Sequence, residues 1–396
     1  MKVLQIGPLP PSVGGKTSGG VHTHVWQLSK KLVEQGHDVA VFAENIITKT
    51  SKPKIIDGVS IFGMNPESLF RSLFLDENLT NIKYLTRKFD QFSITDKLKY
   101  ILYFLNAKQS TIGWNPHIVH VHHIQQRFPI ARCIAEQTPL ITSVHSFTSI
   151  EATDDEVSQM MYDLIRNNIY EADHLIFISE KLRNDAEIYF DCLPENSRVI
   201  LNPVDVGYIS SDGVAPDAYR DYDYNIMFVG DLIKRKGVYV LIDAVEQLIK
   251  QYPQMGVHIF GDGGERKQVE NQIDQRGLDQ IHLHGYVENI SKYYSHSDLM
   301  VLPSEGESFG LVFIEAMING IPVIGTTNVP EEVIPSNEVG YRVPPKNPQI
   351  LSETIDDALS RSWDKRKIQS FAETFSWREN IDEFENIYQQ SLPNLR

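Results

Sequence analysis

Tyr224-Asn225-Ile226-Met227-Phe228-Val229-Gly230-Asp231-Leu232-Ile233-Lys234-Arg235-Lys236-Gly237 decides how the chain is read. An apolar run enters a glycine, a basic loop follows and closes at a second glycine, and residues 238–252 continue with helical spacing of apolar side chains. Strand, glycine loop and helix form the opening unit of a doubly wound α/β fold. The same opening stands at the N-terminus: residues 2–6 are apolar, a loop rich in Gly and Pro follows, and a helix over 20–35 is closed by Gly36. Two openings predict two Rossmann-like domains, which suits 396 residues, too many for one ordinary core.

Further buried strands are predicted at 38–43, 118–122, 140–144, 175–178 and 198–201 in the first half, and at 256–260, 281–284, 299–302 and 322–325 in the second. Between 202 and 223, Pro203, Gly207, Gly213 and Pro216 break any periodicity and mark a linker. The expected division is 1–205, 206–375 and a terminal helix in 376–396. That helix carries Ile381, Phe384, Ile387 and Tyr388 at helical spacing and is able to cross back to the first domain. Residues 66–110 interleave Phe70, Leu73, Phe74, Tyr100 and Tyr103 with Arg71, Lys83, Arg87, Lys88 and Lys97. Nearby acids nearly cancel that charge, so helices covering the sheet are the first expectation and transient contact with a membrane surface the minor one.

A formal charge of -15 repels nucleic acid at long range, so an anionic ligand must meet a local basic cluster, and Lys234-Arg235-Lys236 is one. No apolar run reaches the roughly 18 residues of a spanning helix. The N-terminal apolar run is too short for a signal peptide, and Cys133 and Cys192 build no disulfide framework. The expectation is a cytoplasmic protein, peripheral at most at the inner membrane face.

The passage 303–323, Pro-Ser-Glu-Gly-Glu-Ser-Phe-Gly-Leu-Val-Phe-Ile-Glu-Ala-Met-Ile-Asn-Gly-Ile-Pro-Val, follows a strand and opens a helix. N–H groups near Gly310, Leu311 and Val312 have no helical partners, and the positive dipole end points outward, a place for a diphosphate. Glu315 lies one turn further in, suited to accept two ribose hydroxyl hydrogen bonds, and Glu307 precedes the helix. His117, His120, His122, His123 and His145 gather in the first half. His120 and His122 share a strand face and His123 is expected to point away, so no metal site is predicted. His145 ends an apolar strand and is expected to reach the carboxyl edge of the sheet, towards a cleft.

The 303–323 passage resembles the signature of the retaining glycosyltransferases of family GT4 (glycosyl transferases group 1), and the resemblance covers essentially the whole chain. It implies the α/β GT-B fold, two Rossmann-like domains facing each other across a cleft, with the acceptor bound by the first and a nucleotide-diphosphate-sugar by the second. By resemblance, Glu307 and Glu315 bracket sugar and ribose, and Phe309, Gly310, Leu311 and Val312 line the donor. Gly19 and Gly20 approach it from the first strand's loop. Lys236 and Arg235 meet the phosphates, Gly263 belongs to the next glycine turn, Tyr286 and Val287 hold the base through backbone groups, and His145 contacts the transferred sugar. Two positions depart from the pattern: Asp231 stands where the family usually has Arg, and Ser146 where it commonly has Asp. A carboxylate has the wrong sign for a diphosphate, so Lys236 is expected to be the main cation.

Cleaving a sugar–phosphate bond needs preorganised cations and N–H dipoles for the leaving diphosphate. The resemblance implies hexosyl transfer with retention, no metal and no cofactor beyond the donor itself, to a polysaccharide, lipid-linked or small-molecule acceptor. Glu307, His145 and Lys236 are the expected catalytic residues. A dehydrogenase is disfavoured because neither opening contains Gly-x-Gly-x-x-Gly. A non-catalytic nucleotide-sugar-binding protein and a nucleotide-sugar epimerase of the same fold are the remaining alternatives.

Overall fold

A computed structural model describes residues 1–17, 19–50, 52–65, 77–111, 113–147, 156–205, 215–287 and 290–392. The chain divides into two compact units, Met1–Leu201 with Trp377–Arg396, and Asn202–Ser376.

The first unit is an eight-stranded sheet in the order β3-β4-β2-β1-β5-β6-β7-β8. Its strands are β1 (Lys2–Ile6), β2 (Asp38–Ile47), β3 (Lys54–Ile56), β4 (Val59–Met64), β5 (Ile118–His122), β6 (Leu140–Val144), β7 (His174–Phe177) and β8 (Ser197–Val199). All pairs are parallel except β3 with β4. β1, β5 and β6 are almost wholly buried, since helices cover both faces of such a sheet, and each carries polar side chains among its apolar ones. The β3–β4 pair was not foreseen from sequence. It turns at Asp57 and Gly58, whose φ angles of 47° and 79° are those of a tight two-residue hairpin.

The terminal helix, Trp377–Ser391, belongs to this unit, with Trp377, Ile381, Phe384, Ile387 and Tyr388 in the same buried cluster as Val3, Leu28 and Ile118. The basic stretch forms helices Glu77–Lys88 and Ile94–Thr111, and Lys88 and Lys108 are paired with Glu171 and Glu136. Phe70, Arg71, Leu73 and Phe74 lie outside the described residues, as do Gly207 and Gly213 of the linker.

The second unit is a six-stranded, all-parallel sheet in the order β11-β10-β9-β12-β13-β14. Its strands are β9 (Tyr224–Val229), β10 (Met255–Phe260), β11 (Ile281–Gly285), β12 (Leu299–Val301), β13 (Val323–Thr326) and β14 (Gly340–Val343). β14 was also unforeseen, being four residues of which only the first and last are buried. The predicted helix at 238–252 ends earlier, at Leu248.

Both sheets reverse their strand order between two parallel-connected halves, at β1 and β5 in the first unit and at β9 and β12 in the second. Loops leaving the carboxyl ends of two strands at such a switch diverge and open a crevice for ligands.

Candidate functional site

At the switch of the second unit the loop after β9 and the loop after β12 are laced together. The Arg235 carbonyl accepts from Glu305 N at 2.8 Å and from Ser304 Oγ at 3.3 Å, while the Arg235 guanidinium donates to Gly306 O at 2.6 Å. Gly237 makes this approach feasible: its φ is 76°, and a Cβ there would stand 2.1 Å from Pro303 O. Across the same seam Lys236 Nζ donates to Glu307 Oε1 at 2.7 Å, with side chains only 17% and 10% exposed.

Glu307 leads into Gly310, whose φ of 94° turns the chain into the helix Leu311–Ile318 with no side chain capping it. The first N–H groups of a helix lack intrahelical acceptors and carry its positive dipole end. This helix start therefore presents positive potential beside the Lys236–Glu307 pair. Glu315 sits one turn in and accepts from the fully buried Tyr294 hydroxyl at 3.0 Å. Dense protein around the Glu315 carboxyl pushes its pKa up to about 7, and the Tyr294 bond opposes that rise.

The other predicted residues of this unit fall around that edge. A Cβ on Gly263 would stand 2.5 Å from Leu232 O, so its turn packs directly on the basic loop. Leu232 N bonds Asp262 O and Glu265 N bonds Leu232 O, both at 2.9 Å. Tyr286 is 63% exposed, and the adjacent Gly285 carbonyl already accepts from Gly261 N at 2.8 Å. Phe309 is a buried anchor against Phe375, ring centroids 5.8 Å apart. Asp231, Lys234 and Arg235 are exposed. Tyr294 was not found by sequence reasoning, since nothing in its local pattern marks it as a partner of Glu315.

In the first unit, Gly19 and Gly20 are exposed at the start of the helix Gly20–Glu34. His145 follows β6 at that strand's carboxyl end and is 4% exposed, with Nε2 3.2 Å from His122 Nδ1. His122 Nε2 lies 2.8 Å from Gln5 Oε1. His24, absent from the sequence reading, contributes the third ring, edge-on to His122 at 5.4 Å and to His145 at 5.1 Å. His123 does not point away. Its φ of 106° ends the strand alternation, and its ring lies 5.8 Å from that of His145. Burial drives the His122 and His145 pKa values well below the ordinary imidazole range, and neighbouring histidines add to the effect. Beside them a cavity of 470 Å³ is lined by Glu44, Lys99, Tyr103, His123 and Arg127 among others, and Arg127 Nε donates to Glu44 Oε1 at 2.7 Å.

Comparison with known proteins matches residues 18–208 to the model described as Glycosyltransferase Family 4, and residues 218–374 to Glycosyl transferases group 1. The N-acetyl-alpha-D-glucosaminyl L-malate synthase of Bacillus anthracis is 25% identical, over 96% of this chain and 95% of that protein. Among solved structures, a sucrose-phosphate synthase from Thermosynechococcus elongatus superposes with a TM-score of 0.74 at 19% identity, covering 98% of this chain and 99% of that one. HepE of Anabaena, solved in complex with UDP and glucose, gives a TM-score of 0.69 at 19% identity, covering 98% of each chain.

Proposed function

This chain belongs to the GT4 glycosyltransferases and has their GT-B fold, and from that premise we propose that it transfers a hexosyl group, with retention, from a nucleotide-diphosphate-sugar to a hydroxyl acceptor. The observation that carries the proposal is the seam at the second unit's switch point, where Lys236, Glu307 and the uncapped start of helix Leu311–Ile318 lie on one strand edge. HepE's UDP complex supports a uridine donor.

In this reading the leaving diphosphate takes the Lys236 ammonium and the N–H groups of Leu311 and Val312, with Arg235 as a further cation and Gly310 giving the backbone room to approach. Its charge is met by protein groups, with no divalent ion at the diphosphate. Glu315 accepts from the ribose hydroxyls, Tyr286 and Val287 flank the base, and Gly263 supports the basic loop. Phe309 seats the loop that carries Glu307. Glu307, released from Lys236, turns to the sugar. Gly19, Gly20 and His145 are carried over from the family as the first unit's contacts with the donor. Departure of the diphosphate on the face from which the acceptor hydroxyl attacks retains the anomeric configuration, and its oxygen takes the acceptor's proton.

The acceptor is assigned to the first unit, where the cavity beside Glu44, Tyr103 and Arg127 offers both hydrogen-bond acceptors and donors. The acceptor class, a polysaccharide, lipid-linked or small-molecule glycan, sets where the enzyme works. A cytoplasmic enzyme, peripheral at the inner membrane face when the acceptor is lipid-linked, fits a chain in which no described helix is long and apolar enough to cross a membrane.

The test is a thermal-shift series against UDP-, GDP- and ADP-sugars without added metal. At about 100 times the dissociation constant, binding adds roughly 2.7 kcal/mol. One base class should raise the midpoint of the wild type, and Lys236→Ala and Glu315→Ala should abolish the shift. No shift with any donor would refute the donor site. The anomeric coupling constant in the NMR spectrum of the product decides retention, and turnover without acceptor would point to an epimerase.

A further inference from the structure

Three histidines of the first unit gather around one point, and of these the proposed transfer uses only His145. His24 lies on helix Gly20–Glu34, His122 closes β5 and His145 follows β6, and all three are buried. Each offers one ring nitrogen such that the three atoms lie within 4.8 Å of one another. Two imidazole nitrogens bound tetrahedrally to one zinc at about 2.0–2.1 Å stand about 3.3 Å apart. His122 Nδ1 and His145 Nε2, 3.2 Å apart, already have that separation.

A metal-bound imidazole characteristically gives its second ring N–H to an oxygen, which fixes tautomer and orientation. His122 has that arrangement: its Nε2 faces Gln5 Oε1 at 2.8 Å, leaving Nδ1 to face the cluster. Ligation draws on neutral imidazoles, and all three rings are buried away from water. Arg127, a cation that acts on the group, is paired with Glu44.

We propose that His24, His122 and His145 form a three-imidazole site for a divalent transition-metal ion of the zinc class. Three nitrogen donors with no carboxylate among them select zinc, cobalt, nickel or copper over magnesium and calcium. The ion would tie helix Gly20–Glu34 to β5 and β6 at the sheet's switch point. It would also hold His145 through Nε2, leaving Nδ1–H as a fixed donor. The site shares only His145 with the proposed transfer, and metal binding is read without donor or acceptor, so its failure and the failure of that reading are distinguishable.

The experiment uses the full chain without a histidine tag, stripped with a chelator and dialysed, then titrated with cobalt(II) and back-titrated with zinc. One cobalt per chain with the intense visible bands of a four-coordinate ion, displaced by one equivalent of zinc, is the expected result. His24→Leu should abolish stoichiometric binding. Gln5→Ala, which leaves all three ligands in place, should weaken zinc binding by about 10- to 100-fold. Circular dichroism checks that each variant is folded. Should His24→Leu fail to fold, the wild-type cobalt spectrum and Gln5→Ala decide the matter. A wild type that retains no stoichiometric metal, or shows only the pale spectrum of six-coordinate cobalt, overturns the proposal, as does a folded His24→Leu variant that binds as the wild type does.

Discussion

Lys236 Nζ and Glu307 Oε1 are 2.7 Å apart, and each is the other's ion-pair partner across the seam between the β9 and β12 loops. A diphosphate that takes the Lys236 ammonium must first displace this carboxylate. Removing the Glu307 charge while keeping its shape should therefore tighten nucleoside diphosphate binding, and removing Lys236 should weaken it. Glu307→Gln is expected to lower the dissociation constant by about 5- to 10-fold, roughly 1 to 1.4 kcal/mol, while sugar transfer falls. Lys236→Ala should raise it at least about 10-fold. Titration calorimetry at low salt separates the two, and weaker binding in both variants would mean that the carboxylate assists the phosphate site.

Glu315 titrates near neutrality because burial raises its carboxyl from 4.5 to about 7. A folded pKa above the unfolded one means that the stability tied to the protonated form is complete below 4.5 and is lost as pH rises through about 7. A ribose with two hydroxyl donors favours the ionised form, which accepts at both oxygens. Donor affinity should therefore rise roughly tenfold between about pH 6 and about pH 8, following the ionised fraction. Glu315→Gln should be weak and flat over the same range. Tyr294→Phe removes the bond that favours ionisation, so its inflection should move to higher pH.

Gly237 tests the seam mechanically. Gly237→Ala combines a φ of 76° with a Cβ 2.1 Å from Pro303 O, a backbone atom that has no rotamer to escape into. We expect a loss of at least about 2 kcal/mol in the second unit, visible as a lowered thermal midpoint, together with weakened nucleotide binding. Gly264→Ala, where a Cβ meets nothing within 4 Å, is the matched control and should be near neutral.

Tyr388 joins the last helix to the first sheet. Its buried hydroxyl lies 2.7 Å from His120 Nδ1, whose other nitrogen is 2.8 Å from Ser143 Oγ. Tyr388→Phe keeps the packing but strands a buried imidazole nitrogen, for an expected loss of about 1 to 3 kcal/mol. Chemical denaturation should show this loss without a change of slope, whereas truncation after Ser376 removes Trp377, Ile381 and Phe384 and should unfold the first unit by uncovering the cluster they share with Val3, Leu28 and Ile118.

What the sequence reveals follows from how local each signal is. β1, the helix Gly20–Glu34 and the loop from Gly230 to Gly237 are each set by consecutive residues, and their bounds come out within a residue or two. The Asp57-Gly58 turn is equally local, but β3 before it is three residues long with none buried, too short for a strand signal. The acidic pair Glu307 and Glu315 is a motif, but their partners are not. Lys236 lies 71 residues from Glu307, and Tyr294 lies 21 from Glu315. His24 is the clearest case: nothing local marks it on a helix that also carries His22, and only the crossover from β1 to β2 sets it against His122 and His145.

The second unit carries a further set of histidines with a consequence for acid stability. His258 is fully buried, with Nδ1 3.1 Å from His284 Nε2 and Nε2 2.9 Å from Asn225 Oδ1, and its ring packs 3.9 Å from that of Tyr219. Burial, then His284 and His282, lower its pKa from 6.5 to about 3. Because the folded pKa is the lower one, the contribution is complete above 6.5 and is lost as pH falls towards about 3, the unfolded chain binding the proton first. By about pH 5 this amounts to about 2 kcal/mol, and His284, lowered to about 4 in a more open setting, acts in the same direction. The second unit's thermal midpoint should therefore drop between about pH 7 and about pH 5. His258→Asn should flatten that slope at the expense of stability at neutral pH. Calorimetry at the two pH values provides the check, and an equal slope in the variant would assign the acid sensitivity to other groups.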